Sequence, residues 1–250
     1  MVQPHQSDRG MATPQSAVAS SAQVAAQAQE RLAAGLALIA GYVDAYGYLT
    51  FKTFVSFMSG NTTQTGLLTG QGHVTAAMPS LLPIGSFVIG ACTGTVLTHA
   101  GTPHARRRLF GVVAAVLAVS IGHTLRGWGG GAVSMATLSV AMGMMNTALS
   151  HVGALPVSLT FVTGTLIRLG THLALALTRA PLQGAQGSWD THGRRAFLLL
   201  GIWASFLLGA LLGGAATARC GVWVLLLPLL ILLALAVGSR PQRANPDSSA

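Results

Sequence analysis

The chain has 250 residues, 51% hydrophobic and 8% charged, with a mean hydropathy of +0.59. Soluble domains carry about a quarter charged residues, so this composition argues against a soluble globular protein and for a polytopic helical membrane protein. The net charge of +9, from 14 Lys and Arg against 5 Asp and Glu, would suit nucleic acid as a partner. The arginines nevertheless fall in short clusters between apolar segments, as topology-setting charges do, and nucleic-acid binding is not expected.

Residues 1–30 are rich in Ala, Gln and Ser without an apolar run, and read as a disordered N-terminal tail rather than a signal peptide. A single integral membrane domain is expected over 31–238, followed by a cytoplasmic tail over 239–250. Apolar segments near 32–51, 79–99, 109–125, 132–152, 195–216 and 222–238 predict membrane helices. Two stretches, 53–71 and 157–178, are helix-like but more polar and punctuated by Gly and Thr. If both cross the membrane there are eight spans, and Arg106-Arg107-Arg108 falls outside. If both are re-entrant there are six. The inside then holds Arg9, Arg31, Arg106, Arg107, Arg108, Arg179, Arg194, Arg195, Arg240 and Arg243, leaving Lys52, Arg126 and Arg219 outside. The excess of positive charge on cytoplasmic loops favours six spans with both termini cytoplasmic.

The two halves echo one another. The first copy reads Gly41-Tyr-Val-Asp44, then Phe57-Met-Ser-Gly-Asn61, then Gly66. The second reads Gly143-Met-Met-Asn146, then Phe161-Val-Thr-Gly-Thr165, then Gly170. Three spans per copy would invert the second relative to the first, giving repeats of about 32–125 and 132–238, an architecture recurrent among transporters and channels. The fold class expected is therefore all-α, with about six transmembrane helices in two inverted repeats, each carrying a broken or re-entrant helix.

Asp44 is the one acidic residue inside an apolar membrane-length segment, and an intramembrane carboxylate marks a candidate functional site. Three roles are open to it: binding a cation or proton, accepting hydrogen bonds from the amides of a broken helix, or pairing with Arg168. Ser59-Gly60-Asn61 and Thr163-Gly164-Thr165 are small-Gly-polar steps that let the backbone leave regular helix and cap a following one. Half-helices starting there would direct partially positive amide ends into the membrane, suited to an anion or polar solute. The candidate substrate-binding set is therefore Asp44, Ser59, Gly60, Asn61, Asn146, Thr163, Gly164 and Arg168. Gly90-x-x-x-Gly94 and Gly209-x-x-x-Gly213 suit close helix packing, within the bundle or in a homo-oligomer. The histidines show no metal-ligand spacing, the two cysteines form no motif, and no catalytic triad, P-loop or dinucleotide fingerprint is present. No metal, cofactor or enzymatic activity is expected.

Gly41-Tyr-Val-Asp-Ala45, Phe-Met-Ser-Gly-Asn61, Gly143-Met-Met-Asn146 and Phe-Val-Thr-Gly-Thr165 resemble the YoaK family of bacterial inner-membrane proteins, which carry a domain of unknown function. The likeness covers nearly all of the chain after residue 30. In that family the first motif usually reads Thr-Gly-Asn and the second site carries Gln-Asn. Ser59, Met145 and Thr165 depart from that pattern here. The resemblance implies inner-membrane location and names no activity. The function expected is a transporter or channel for a small solute or ion, in contact with the lipid bilayer. The competing class is a non-transporting membrane module, a partner-binding or sensory subunit whose polar motifs only hold helices together.

Overall fold

A computed structural model describes residues 14–99, 104–128, 130–149, 151–152, 155–156, 160 and 162–238. Its elements are α1 (Pro14–Phe51), α2 (Met58–Gly70), α3 (Val74–His99), α4 (Ala105–Arg126), α5 (Gly130–Asn146), β1 (His151–Val152), β2 (Leu155–Pro156), α6 (Val162–Leu177), α7 (His192–Cys220), a 3-10 turn over Gly221–Leu225, and α8 (Leu226–Gly238). The apolar segments read from the sequence overlap α1, α3, α4, α5, α7 and the 3-10 turn with α8, the fourth stopping at Asn146 rather than running to 152. The two polar stretches are α2 and α6. Among the described residues the one departure from helices and their connections is a two-residue antiparallel ladder that pairs His151 with Pro156 and Val152 with Leu155.

The expected tail over 1–30 is corrected from Pro14 onward, where helix α1 already runs without a break into the membrane segment. Alanine and glutamine favour helix, and Glu30 is tied to Arg194 at 2.7 Å. Residues 1–13 and 239–250, with Arg9, Arg240, Arg243 and Phe161 of the sequence reading, lie outside the described residues.

Four stretches are long and apolar enough to cross a membrane: Gln23–Phe51, Val74–His99, Ala105–Arg126 and His192–Gly238. The last has 47 residues. Drawn straight it would reach about 70 Å, more than twice a hydrocarbon core of about 30 Å, but it breaks at Gly221 with φ +54°. Helix α5, with 17 residues, reaches about 25 Å and falls somewhat short.

Helix directions follow from side-by-side residues. Gly209 lies on Leu38 and Gly213 on Tyr42, so α1 and α7 are parallel. Gly90 lies on Val140 and Gly94 on Met144, so α3 and α5 are parallel too. Phe51, at the end of α1, packs beside Gly131 at the start of α5. Leu149, just past the end of α5, clusters with Ala33 and Ala37 of α1. The α1/α7 pair therefore runs opposite to the α3/α5 pair.

The two pairs are built alike. Gly41 meets the backbone of Phe206 and Ala210, and Gly143 meets that of Phe87 and Ala91. One constant offset relates the α1 residues to those of α5, and a second relates α7 to α3. The first helix of each half thus packs on the third element of the other half. Backbone atoms stand where a Cβ at Gly41, Gly90, Gly143 or Gly209 would go, which only glycine tolerates. The faces of Gly90/Gly94 and Gly209/Gly213, offered above to a second copy, are taken inside this chain. Helices α4 and α8 pack together and join α1 and α5 around the main core of Leu36, Val43, Tyr46, Phe110, Leu117, Leu138, Met145 and Leu232.

Candidate functional site

The end of α1 decides the first motif. The helix reaches Phe51, about 10 Å beyond Asp44 at helical rise, and Lys52 breaks it with φ +58°. The chain then returns. The amides of Val55 and Ser56 donate to Asp44 Oδ1 at 2.9 and 2.8 Å, and Ser56 Oγ donates to Asp44 Oδ2 at 2.8 Å. Val55 fills the slot left by Gly47, whose Cβ would stand 2.7 Å from Val55 Cγ1.

Asn61, in the first turn of α2, closes the other side of the return. Its carboxamide accepts from the Phe54 amide at 3.2 Å and donates to the Phe54 carbonyl at 2.7 Å, as a neighbouring strand would. Asp44, Ser56 and Asn61 are all buried. Together they satisfy the backbone donors of a non-helical stretch that packing has cut off from water.

The second half repeats the link in weaker form. Asn146 Oδ1 accepts from Thr160 Oγ1 at 3.2 Å, while its amide donates to the Met142 carbonyl at 3.1 Å. Thr160 precedes Phe161 as Ser56 precedes Phe57, so the two bonds are equivalent. An aspartate accepts through both oxygens, whereas asparagine has one acceptor and uses its donor on its own helix.

The remaining candidates divide by exposure. Ser59 and Thr163 are exposed, Gly60 is half-buried against the Phe57 ring, and Gly164 is buried. Arg168 is exposed on α6. The ion pairs between described residues, Arg194–Glu30 and Arg195–Asp190, do not involve Asp44. Of the three roles open to Asp44, the geometry has the acceptor of backbone amides, and its donors come from the loop before α2. The side-chain hydrogen bonds of Asp44 and Asn61 end within residues 54–58, and those of Asn146 at Met142 and Thr160.

Sequence reasoning passed over Ser56, although its register with Thr160 was available as a signal. It also set the histidines aside. His172 Nδ1 and His192 Nδ1 lie 2.9 Å apart, bringing α6 against the start of α7. Their separation of twenty residues carries no periodic signal. Beside them Asp190 is held by Arg195 at 2.9 and 2.7 Å, which keeps its carboxyl below the ordinary value of 3.8. Among the described residues no three His, Cys, Asp or Glu are grouped to hold a metal ion.

Buried polar clamps joining long apolar helices define a polytopic helical membrane protein. The family model described as "Protein of unknown function (DUF1275)" matches residues 32–238, and the chain belongs to that family. It is similar to the UPF0700 transmembrane protein RA0705 of Rhizobium meliloti (strain 1021), with 30% identity over 186 residues covering 72% of this chain and 74% of the relative. No solved structure matches the chain.

Proposed function

We propose that the protein is an inverted-repeat transporter or channel for a small solute or ion. The reading places six spans in a bacterial inner membrane with both termini cytoplasmic, and α2 and α6 as re-entrant half-helices. One observation carries it: helices α1 and α5 run in opposite directions, and each carries an Asp or Asn, Asp44 two turns before the end of α1 and Asn146 at the end of α5, that accepts from the hydroxyl of a residue just ahead of a short helix. Two such returns from opposite sides are the recurrent framework of alternating-access and channel proteins. Helix α2 also exposes Ser59 and Gln64, and α6 exposes Thr163 and Arg168. Polar side chains on the outside of a membrane bundle call for water or a polar solute beside them. In this reading Asp44, Asn61 and Asn146 are positioning residues, and Ser59, Thr163 and Arg168 face the solute. The likeness of the paired motifs to the YoaK family belongs to the same reading, as does the absence of an enzymatic role.

Side-specific thiol labelling tests it. With Cys92 and Cys220 replaced, single cysteines at Ser59 and Thr163 are expected to label from opposite faces of sealed vesicles. Labelling of both from one face would remove the inverted arrangement. Protection of both in folded protein would favour the non-transporting module, a reading that the internal closure of the Asp44 and Asn61 hydrogen bonds supports.

A further inference from the structure

One end of the bundle holds a cleft of about 930 Å³ between the last turn of α1, the first half of α3 and the start of α5. Its size falls at the upper end of the roughly 300–1,000 Å³ typical of small-molecule sites. Phe51, Met78, Leu82 and Ile89 make its walls apolar, Thr50 lies at the α1 edge, and Gly85 leaves open space where a side chain would stand.

Charge at this end has one sign. Lys52 follows Phe51 directly, and Arg126 ends α4 just before the turn into α5, its guanidinium 4.9 Å over the Trp128 ring. Arg219, in the last turn of α7, belongs to the same end because α7 runs parallel to α1. The described carboxylates are elsewhere: Glu30 and Asp190 pair with Arg194 and Arg195 at the opposite end, and Asp44 is buried. An apolar slot with exposed cations at the same end of the bundle suits a ligand with an alkyl chain and a negative head.

We propose that this cleft binds one alkyl chain of an anionic amphiphile, with Lys52 and Arg126 taking its headgroup. A phospholipid and a free fatty acid share that chemistry. Helix α3 carries Pro79 and Pro83 in its first half. Each removes an amide from the helical ladder, on the segment that walls the cleft.

The test uses the full chain purified in detergent and native mass spectrometry. The probes are palmitoyl-oleoyl phosphatidylglycerol, phosphatidylcholine with the same chains, palmitate and glycerol 3-phosphate. Phosphatidylglycerol is expected to bind about tenfold tighter than phosphatidylcholine, equivalent to about 1.4 kcal/mol, and glycerol 3-phosphate not at all. Palmitate binding tighter than phosphatidylglycerol would assign the site to a free fatty acid, the reverse to a membrane lipid, and either order supports the site. The Lys52→Gln/Arg126→Gln pair should erase the preference for the anionic head while leaving chain binding. Gly85→Leu should weaken both lipids about tenfold by filling the slot. Ala132→Leu fills it from the α5 side should the first variant not fold, and Val96→Phe, exposed on α3 away from the cleft, should change nothing. Equal binding of the two lipids by the native protein, or binding unaffected by both filling variants, overturns the proposal.

Discussion

Asp44 and Ser56 meet twice. The Ser56 amide donates to one carboxylate oxygen and its hydroxyl to the other, each at 2.8 Å, although twelve residues separate them. The contact returns the chain to a point about two turns inside α1 and sets where α2 starts. The equivalent bond between Asn146 and Thr160 does the same for α6 with fewer donors.

Removing the Asp44 carboxylate strands three buried donors. Asp44→Ala is expected to destabilise the folded protein by about 3 kcal/mol or more, since each unsatisfied buried donor costs about 1–3 kcal/mol. Asp44→Asn keeps one acceptor and imitates the second half, with an expected cost of about 1 kcal/mol. Thermal unfolding in detergent checks both. Equal loss in the two variants would show that charge, not acceptor number, holds the loop.

The crosswise glycine contacts predict a sharp contrast between packed and open glycines. Gly209→Val would press a side chain into the Leu38 backbone and Gly143→Val into that of Phe87. Each should cost about 3 kcal/mol, at the upper end for overpacking. Gly35→Ala and Gly201→Ala, which meet nothing within 4 Å, should be neutral or slightly stabilising. Melting temperatures of the four variants decide it.

The loop before α7 should loosen in acid. Asp190 is held below its ordinary 3.8 by Arg195, so its contribution is full above the unfolded value and is lost as pH falls through the lower folded one. Protection from hydrogen exchange over residues 183–190, taken relative to the intrinsic amide rate at each pH, should therefore fall as pH drops below about 4, the range where an unperturbed aspartate titrates. In Asp190→Asn that protection should already be low at neutral pH and show little further change. A native protein with constant protection across that range would remove the Arg195 clamp as the cause.

The N-terminal part of α1 is anchored by Glu30 on Arg194 at 2.7 Å, with each side chain about a quarter exposed at 24% and 25%. A double-mutant cycle of Glu30→Ala and Arg194→Ala should return a coupling of about 0.5 kcal/mol, the scale of partly solvated pairs. Zero coupling would mean that packing alone docks this stretch.

The sequence by itself determined the membrane class, the order of long and short helices, and the two motifs around Asp44 and Asn146. Hydropathy and the spacing of Gly, Ser, Asn and Thr act locally, so they show in the order of residues. It also marked Gly90/Gly94 and Gly209/Gly213 as sites of close approach without saying what approaches. Tertiary structure alone decided that α1 packs on α7 and α3 on α5, that Ser56 and Val55 rather than Arg168 take the Asp44 carboxylate, and that His172 reaches His192. Such pairings join residues distant in the chain, and they depend on which apolar faces fit together and on which donors then reach a buried acceptor. A list of motifs states what each face can do. Only packing chooses its partner.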